Sequence, residues 1–187
     1  MKKTVGILLA GGLSRRYGSP KAFAKIEGEY FYERAYQALD FVCDQVIIVT
    51  RPELVDRFPN KYTVITDLQS VAGQGPLAGI FSGMTTIMAE KYMILPCDMP
   101  FISRDETAKL LAIASPTVAI TAIENTNEKI PLFSLWSGQV VQLLHEELQA
   151  NQLRVMKFME KLTTEWIDTS VIHEDPLVFR NVNQPDG

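Results

Sequence analysis

Residues 7 to 26, ILLAGGLSRRYGSPKAFAKI, decide how this chain reads. An aliphatic run from Ile7 enters Gly11-Gly12 directly, the pattern of a buried β-strand that ends in a turn. Between Gly12 and Ile26 stand Arg15, Arg16, Lys21 and Lys25 without a single acid, in a chain whose formal net charge is −4. Glycines let the backbone approach an anion and present N–H groups to it, while Arg and Lys neutralise phosphate charge. Together they describe a cradle for a triphosphate. A glycine turn with a solvated basic surface is the other reading that composition allows. The familiar phosphate loops do not fit: Gly12 is followed by Gly18-Ser19-Pro20-Lys21 at the wrong interval for a Walker loop, and the turn lacks GxGxxG.

Along the rest of the chain, short runs rich in β-branched residues alternate with segments of helical period, which is the grammar of an α/β fold. The pattern predicts strands at Thr4 to Ala10, Gln45 to Thr50, Tyr62 to Thr66, Tyr92 to Pro96, Thr117 to Ile123, Ile130 to Trp136 and Thr164 to Asp168. The first four are nearly continuous apolar runs, as for strands buried on both faces. Leu77, Ile80, Phe81, Met84, Ile87 and Met88 form an apolar stripe on a helix opening after Pro76. Ser103 with Glu106 reads as a capping box, and Ser137 as the cap of a helix that turns Val140, Val141, Leu144 and Leu148 inward. Asp67 to Gly75 reads as a mobile loop beside the site, and the last dozen residues are open to strand, helix or tail.

The chain has 187 residues, 47% hydrophobic and 21% charged, enough for one well-buried core. No repeat, linker or low-complexity stretch divides it, so residues 1–187 are expected to form a single domain. The acidic balance provides no global field for nucleic acid or an anionic membrane. No apolar run is long enough to cross a bilayer, and the lysines and short apolar run at the N-terminus lead into Gly-Gly rather than a cleavage site. Cys43 and Cys97 form no CxxC and stand apart from His145 and His173. Unpaired thiols in a reducing cytoplasm are expected, without a zinc or disulfide framework.

Two acids fall where predicted strands end. Ligands of open parallel sheets bind outside the carboxyl ends of the strands, so Asp98, in Leu95-Pro96-Cys97-Asp98-Met99-Pro100, should point into the same crevice as the glycine turn. A carboxylate there suits Mg²⁺, which is held by one or two carboxylates together with substrate phosphates. A turn-capping Asp is the alternative. Asp67 could accept paired hydrogen bonds from the N1–H and N2–H₂ edge of guanine, or merely form a turn. Cys97, Phe133 and Trp136 read as core, and Ser14 has neither a GxSxG elbow nor a histidine partner. No NKxD guanine signature is present.

Leu9-Ala10-Gly11-Gly12, Leu13-Ser14-Arg15-Arg16-Tyr17-Gly18 and Lys21 resemble the LAGGxSxRMG…K signature of nucleotidyltransferases with a Rossmann-like fold. Gly75-Pro76-Leu77-Ala78-Gly79, the Pro-Cys-Asp-Met-Pro element at 96 to 100, Arg154 to Met159 and Asn181-Val182-Asn183-Gln184-Pro185 extend the likeness. In this order they resemble the MobA-type molybdenum cofactor guanylyltransferases over almost the whole chain.

That resemblance implies a three-layer α/β/α fold with a mostly parallel sheet, its nucleotide-binding part over about 1–100 and its acceptor-binding part over about 101–187. It implies transfer of GMP from GTP to molybdopterin, with release of pyrophosphate and with other proteins of molybdenum cofactor biosynthesis or molybdoenzymes as partners. Leu9, Ala10, Gly11 and Gly12 would contact the nucleotide, Arg16 and Lys21 its phosphates, and Asp67 the nucleoside side. Asp98 would hold Mg²⁺, while Arg154, Asn181 and Asn183 would face the pterin or complete the metal site. Tyr17 stands where Met is usual, Pro20 where an acid commonly precedes the lysine, and Thr50 where Asn is frequent. The rivals are a cytidylyltransferase on the same pterin, a sugar-phosphate nucleotidyltransferase, and a GTP-binding regulatory protein without turnover.

Overall fold

The computed structural model describes residues 2–13 and 18–183. Strand β1, Lys2–Leu9, lies inside the sheet, where its apolar run is covered on both faces. After the glycine turn come a 3₁₀ turn, Lys21–Phe23, and a small antiparallel hairpin of β2, Lys25–Ile26, and β3, Glu29–Tyr30. The chain continues through α1 (Phe31–Asp40), β4 (Gln45–Thr50), a 3₁₀ turn at Pro52–Arg57, β5 (Thr63–Thr66) and α2 (Pro76–Thr86). Next are β6 (Ala89–Pro96), α3 (Arg104–Ile113), β7 (Ile120–Glu124), β8 (Lys129–Ser137) and α4 (Val141–Gln149). Helix α5 (Val155–Glu160), β9 (Thr164–Asp168), α6 (Thr169–Ile172) and a 3₁₀ turn at Pro176–Phe179 complete it.

Seven strands form one sheet in the order β5-β4-β1-β6-β8-β7-β9. All pairings are parallel except those of β8, which runs antiparallel to β6 and β7. Every predicted strand is present, with ends moved by up to three residues. Successive residues face opposite sides, so one sheet builds two cores. Leu8, Ile48, Leu95 and Phe133 meet α1 and α3 through Tyr32, Leu39 and Leu110. Ile7, Ile47, Ile94 and Trp136 meet α2, α4 and α5 through Ile80, Leu144 and Phe158. The result is a single-domain α/β/α sandwich.

Three local devices set the helices. Ser103 accepts from the Asp105 N–H, and its own N–H donates to Glu106 at 2.7 Å, so the capping box opens α3. Helix α2 approaches β1 through glycines: a Cβ on Gly83 would sit 2.8 Å from Ile7 Cδ1, and one on Gly79 would sit 3.0 Å from Leu9 Cδ2. Ser137 caps the 3₁₀ turn at Gly138–Val140 that leads into α4, accepting from Gln139 N–H.

Two expectations change, and one element is new. Strand β5 is an edge strand and only partly buried, unlike the three inner runs grouped with it. The apolar stripe of α2 stops at Met84; the helix ends at Thr86, Ile87 is extended, and Met88 is 73% exposed. The β2–β3 hairpin was not legible as strand, being two residues on each side of Glu27-Gly28, both at positive φ.

Candidate active site

The parallel strands deliver β1, β4, β5 and β6 to one edge, where their carboxyl ends surround a cavity of about 630 Å³. Leu9 to Leu13 form one wall, Asp67 with Gly73 and Gly75 another, and Lys21 with Asp98 a third. Gly75, at φ 77°, turns the loop after β5 into α2, whose first turn faces the cavity. A helix N-terminus carries partial positive charge, suited to an anionic ligand.

Lys21 is held on its 3₁₀ turn beside the carboxyl end of β6. Its Nζ donates to Asp98 Oδ2 at 3.3 Å and to Asn183 Oδ1 at 2.8 Å. The Cys97 N–H donates to Leu9 O at 3.0 Å, which sets Asp98 beside the glycine turn, and the Val182 N–H donates to Asp98 O at 2.8 Å. A cation from the first loop, a carboxylate from the fourth sheet strand and an amide from the C-terminal segment therefore converge. Asp98 Oδ2 and Asn183 Oδ1 are two hard oxygens already aimed at one cation. Among the described residues there is no group of three or more His, Cys, Asp or Glu able to hold a metal. A single carboxylate with an amide oxygen fits Mg²⁺, whose remaining positions go to water and substrate phosphate.

On the other side, Asp67 Oδ2 accepts from Gly73 N–H at 3.1 Å. Burial raises its carboxyl above the usual carboxylate range, and that hydrogen bond opposes the rise. Thr50 is buried against the cavity wall, and its hydroxyl donates to Ala10 O at 3.0 Å, so it ties β4 to the glycine turn. Cys97 is buried and its thiol is pushed up to about 12, with Cys43 also near 12, chiefly by burial. Neither is a nucleophile at neutral pH.

Leu9, Ala10, Gly11, Gly12, Lys21, Asp67 and Asp98 thus line one cavity, and Asn183 reaches it through Lys21. Arg16, with Arg15, lies outside the described residues. Lys25 does not join the cradle: its Nζ sits 4.6 Å from the Tyr30 ring centroid in the hairpin. The basic turn is also not unopposed, because Asp98 pairs with Lys21 from far along the chain. Arg154, exposed at the N-terminus of α5, and Asn181, also exposed, are not among the residues lining the cavity.

Sequence reasoning passed over Arg51 and Glu53, which stand at the carboxyl end of β4 and line the cavity. Arg51 Nη1 pairs with Glu53 Oε1 at 2.9 Å, and its Nε is buried without a hydrogen-bond partner among the described residues. The strand-end rule applied to Asp67 and Asp98 would have found them.

The MobA-like NTP transferase domain model matches residues 6–165. The chain belongs to this family. A Geobacillus sp. (strain WCH70) protein named "Probable molybdenum cofactor guanylyltransferase" is 38% identical over 188 residues, covering 100% of this chain and 96% of its own. A Bacillus licheniformis protein of the same name is 33% identical, covering 97% of this chain and 93% of its own. Among solved structures, molybdopterin-guanine dinucleotide biosynthesis protein A of Archaeoglobus fulgidus aligns with a TM-score of 0.81 at 19% identity, over 97% of this chain and 93% of that one. The MobA-like fold therefore extends over the full sheet, including the antiparallel β8. Among the described residues no helix is long and apolar enough to cross a membrane.

Proposed function

We propose that this MobA-like protein transfers GMP from GTP to the terminal phosphate of molybdopterin, giving molybdopterin guanine dinucleotide and pyrophosphate. The observation that carries this reading is the convergence of Lys21, Asp98 and Asn183 beside the glycine turn, in a family member that matches named guanylyltransferases along its whole length. The unpaired thiols suit a reducing cytoplasm as its compartment.

The reaction calls for positioning and charge neutralisation more than covalent chemistry. The acceptor phosphate is already ionised at neutral pH, so its oxygen attacks the α-phosphorus in line without a general base. Lys21 neutralises triphosphate oxygens as charge moves onto the pyrophosphate, and we assign Arg16 the same task. The backbone from Leu9 to Gly12 lets the phosphates approach closely. Asp98, with Asn183, would hold Mg²⁺, which offsets phosphate charge when bound. Asp67 faces the nucleoside side, and Arg154 and Asn181 are assigned to the pterin side, with residues 101–187 supplying most of the acceptor-binding part.

Pyrophosphate release, measured with each nucleoside triphosphate in the presence and absence of metal-loaded molybdopterin, tests the reading. Release is expected with GTP only when the pterin is present. Release with CTP and the pterin would move the assignment to cytidylyl transfer, and release with a sugar phosphate as acceptor would overturn the pterin. Tight GTP binding without product from any acceptor would make it a binding protein.

A further inference from the structure

We propose that Arg51 reads the O6 and N7 edge of guanine, completing a base-recognition pair with Asp67. This rests on the guanylyl reading above. Thr50 and Thr66 are register partners on adjacent parallel strands, so Arg51 and Asp67 are the first residues beyond two neighbouring strand ends. Strands lie about 4.8 Å apart, roughly the span between adjacent edges of a purine. Across the carboxyl edge the order is then Asp67 on β5, Arg51 on β4, the glycine turn on β1 and Asp98 on β6. With the phosphates at Lys21 and Asp98, the nucleoside extends over β4 and β5.

The chemistry of the two side chains is complementary to that base. Asp67 offers only acceptors, matching the N1–H and N2–H₂ donors of guanine. Arg51 offers only donors, and its planar fork matches the paired acceptors O6 and N7, the favoured Arg–guanine arrangement. Adenine presents an amino group where guanine has O6, so it sets donor against donor.

Arg51 is also oriented before any ligand arrives. Its Cγ lies 3.7 Å from where a Cβ on Gly11 would stand, so the stem packs along the glycine turn. Glu53 occupies Nη1, leaving the Nε and Nη2 edge of the fork, and Nε has no hydrogen-bond partner among the described residues. Nε is shielded from solvent in the free chain, so the guanidinium must turn for that edge to meet an incoming pair of acceptors. Glu53 is a positioning residue in this scheme.

Two analogues each remove a single contact. The triphosphate of 7-deazaguanosine lacks only N7, and that of inosine lacks only the N2 amino group. Dissociation constants and pyrophosphate-release rates are measured for GTP and both analogues with the wild-type protein, Arg51→Ala, Arg51→Lys, Glu53→Gln and Asp67→Asn. Wild type should favour GTP over 7-deaza-GTP by about tenfold to a hundredfold, the equivalent of one hydrogen bond to a charged group. Arg51→Ala and Arg51→Lys should bring that ratio close to one while leaving the GTP-to-ITP ratio standing, and Glu53→Gln should reduce it partway. Asp67→Asn should do the reverse. Equal handling of GTP and 7-deaza-GTP by wild type overturns the proposal. So does an Arg51 variant that keeps the ratio, or that weakens all three nucleotides alike, which would mark a phosphate contact. Failure of wild type to prefer GTP to CTP would count against guanylyl transfer itself, a separate result.

Discussion

Lys21 Nζ lies 3.3 Å from Asp98 Oδ2, joining the basic turn after β1 to the carboxyl end of β6. The lysine side chain is 13% exposed and the aspartate side chain 27%, so the pair is partly shielded from solvent. Lys21→Ala removes a fixed cation from the triphosphate site, and transfer is expected to fall by about a hundred- to a thousandfold. The fold should survive, since the Lys21 side chain belongs to neither large core, while Ala22 and Phe23 of the same 3₁₀ turn keep their packing against one of them. Circular dichroism together with pyrophosphate release checks both halves. Near-normal turnover would remove Lys21 from the chemistry.

Asp98→Asn keeps the shape and one acceptor oxygen but loses the charge that holds a hard cation. Turnover at ordinary Mg²⁺ concentrations should be abolished, with partial recovery at high Mg²⁺. A titration of rate against Mg²⁺ gives the answer directly; an unchanged curve would reduce Asp98 to a turn residue.

Asp67 should couple stability and selectivity in opposite directions. Burial raises its carboxyl above the ordinary value, so ionising it costs more in the folded chain than in the unfolded one. Its favourable contribution is therefore complete below the unfolded pKa, about 3.9 for Asp, and declines as pH rises through the raised folded value. Asp67→Asn is accordingly expected to melt at or above the wild-type temperature at neutral pH, with the difference vanishing near pH 4. Wild type should prefer GTP to ATP and CTP by at least about tenfold to a hundredfold in kcat/KM, because a buried acceptor is left unpaired by the wrong base. Asp67→Ala should narrow that preference, and acidification through the Asp67 pKa should narrow it in wild type. Melting curves and nucleotide competition at several pH values test these statements. A variant less stable at neutral pH would contradict the first, and an unchanged preference would shift base reading elsewhere.

The close approach of backbone at two glycines predicts a graded loss of stability. A Cβ on Gly83 meets the Ile7 side chain, which can partly shift, so Gly83→Ala should cost about 1–3 kcal/mol. A Cβ on Gly138 would stand 2.3 Å from the Ala89 carbonyl oxygen, where only the backbone of β6 could move. Gly138→Ala should be the more damaging change in denaturant titrations. Equal midpoints for the two variants would argue against this geometry.

The strand set was legible because inner strands buried on both faces are near-continuous apolar runs, as in Val46 to Val49 and Met93 to Leu95. Strand direction was less so: Ile130 to Trp136 reads as a strand from its composition, but only the pairing of Tyr92 with Trp136 and Met93 with Leu135 reveals that β8 is reversed. The strand-end rule located Asp67 and Asp98 on one cavity without any contact being known. The partners of Lys21 were beyond local reading, since Asp98 and Asn183 lie 77 and 162 positions away. Lys25 was drawn into the cradle by its place in the basic run, whereas two-residue strands turn it onto Tyr30. Arg51 carries no local mark of a site, being a lone cation followed by Pro52 and the acid Glu53 with no glycine turn beside it.

Mass spectrometry of the products formed from GTP, Mg²⁺ and metal-loaded molybdopterin tests the central claim most directly. A new species with the mass of molybdopterin joined to GMP, accompanied by one equivalent of pyrophosphate and formed far more slowly with Lys21→Ala, is the predicted result. A product carrying CMP instead when both nucleotides are supplied, or no pterin adduct under any condition while GTP remains bound, would contradict it.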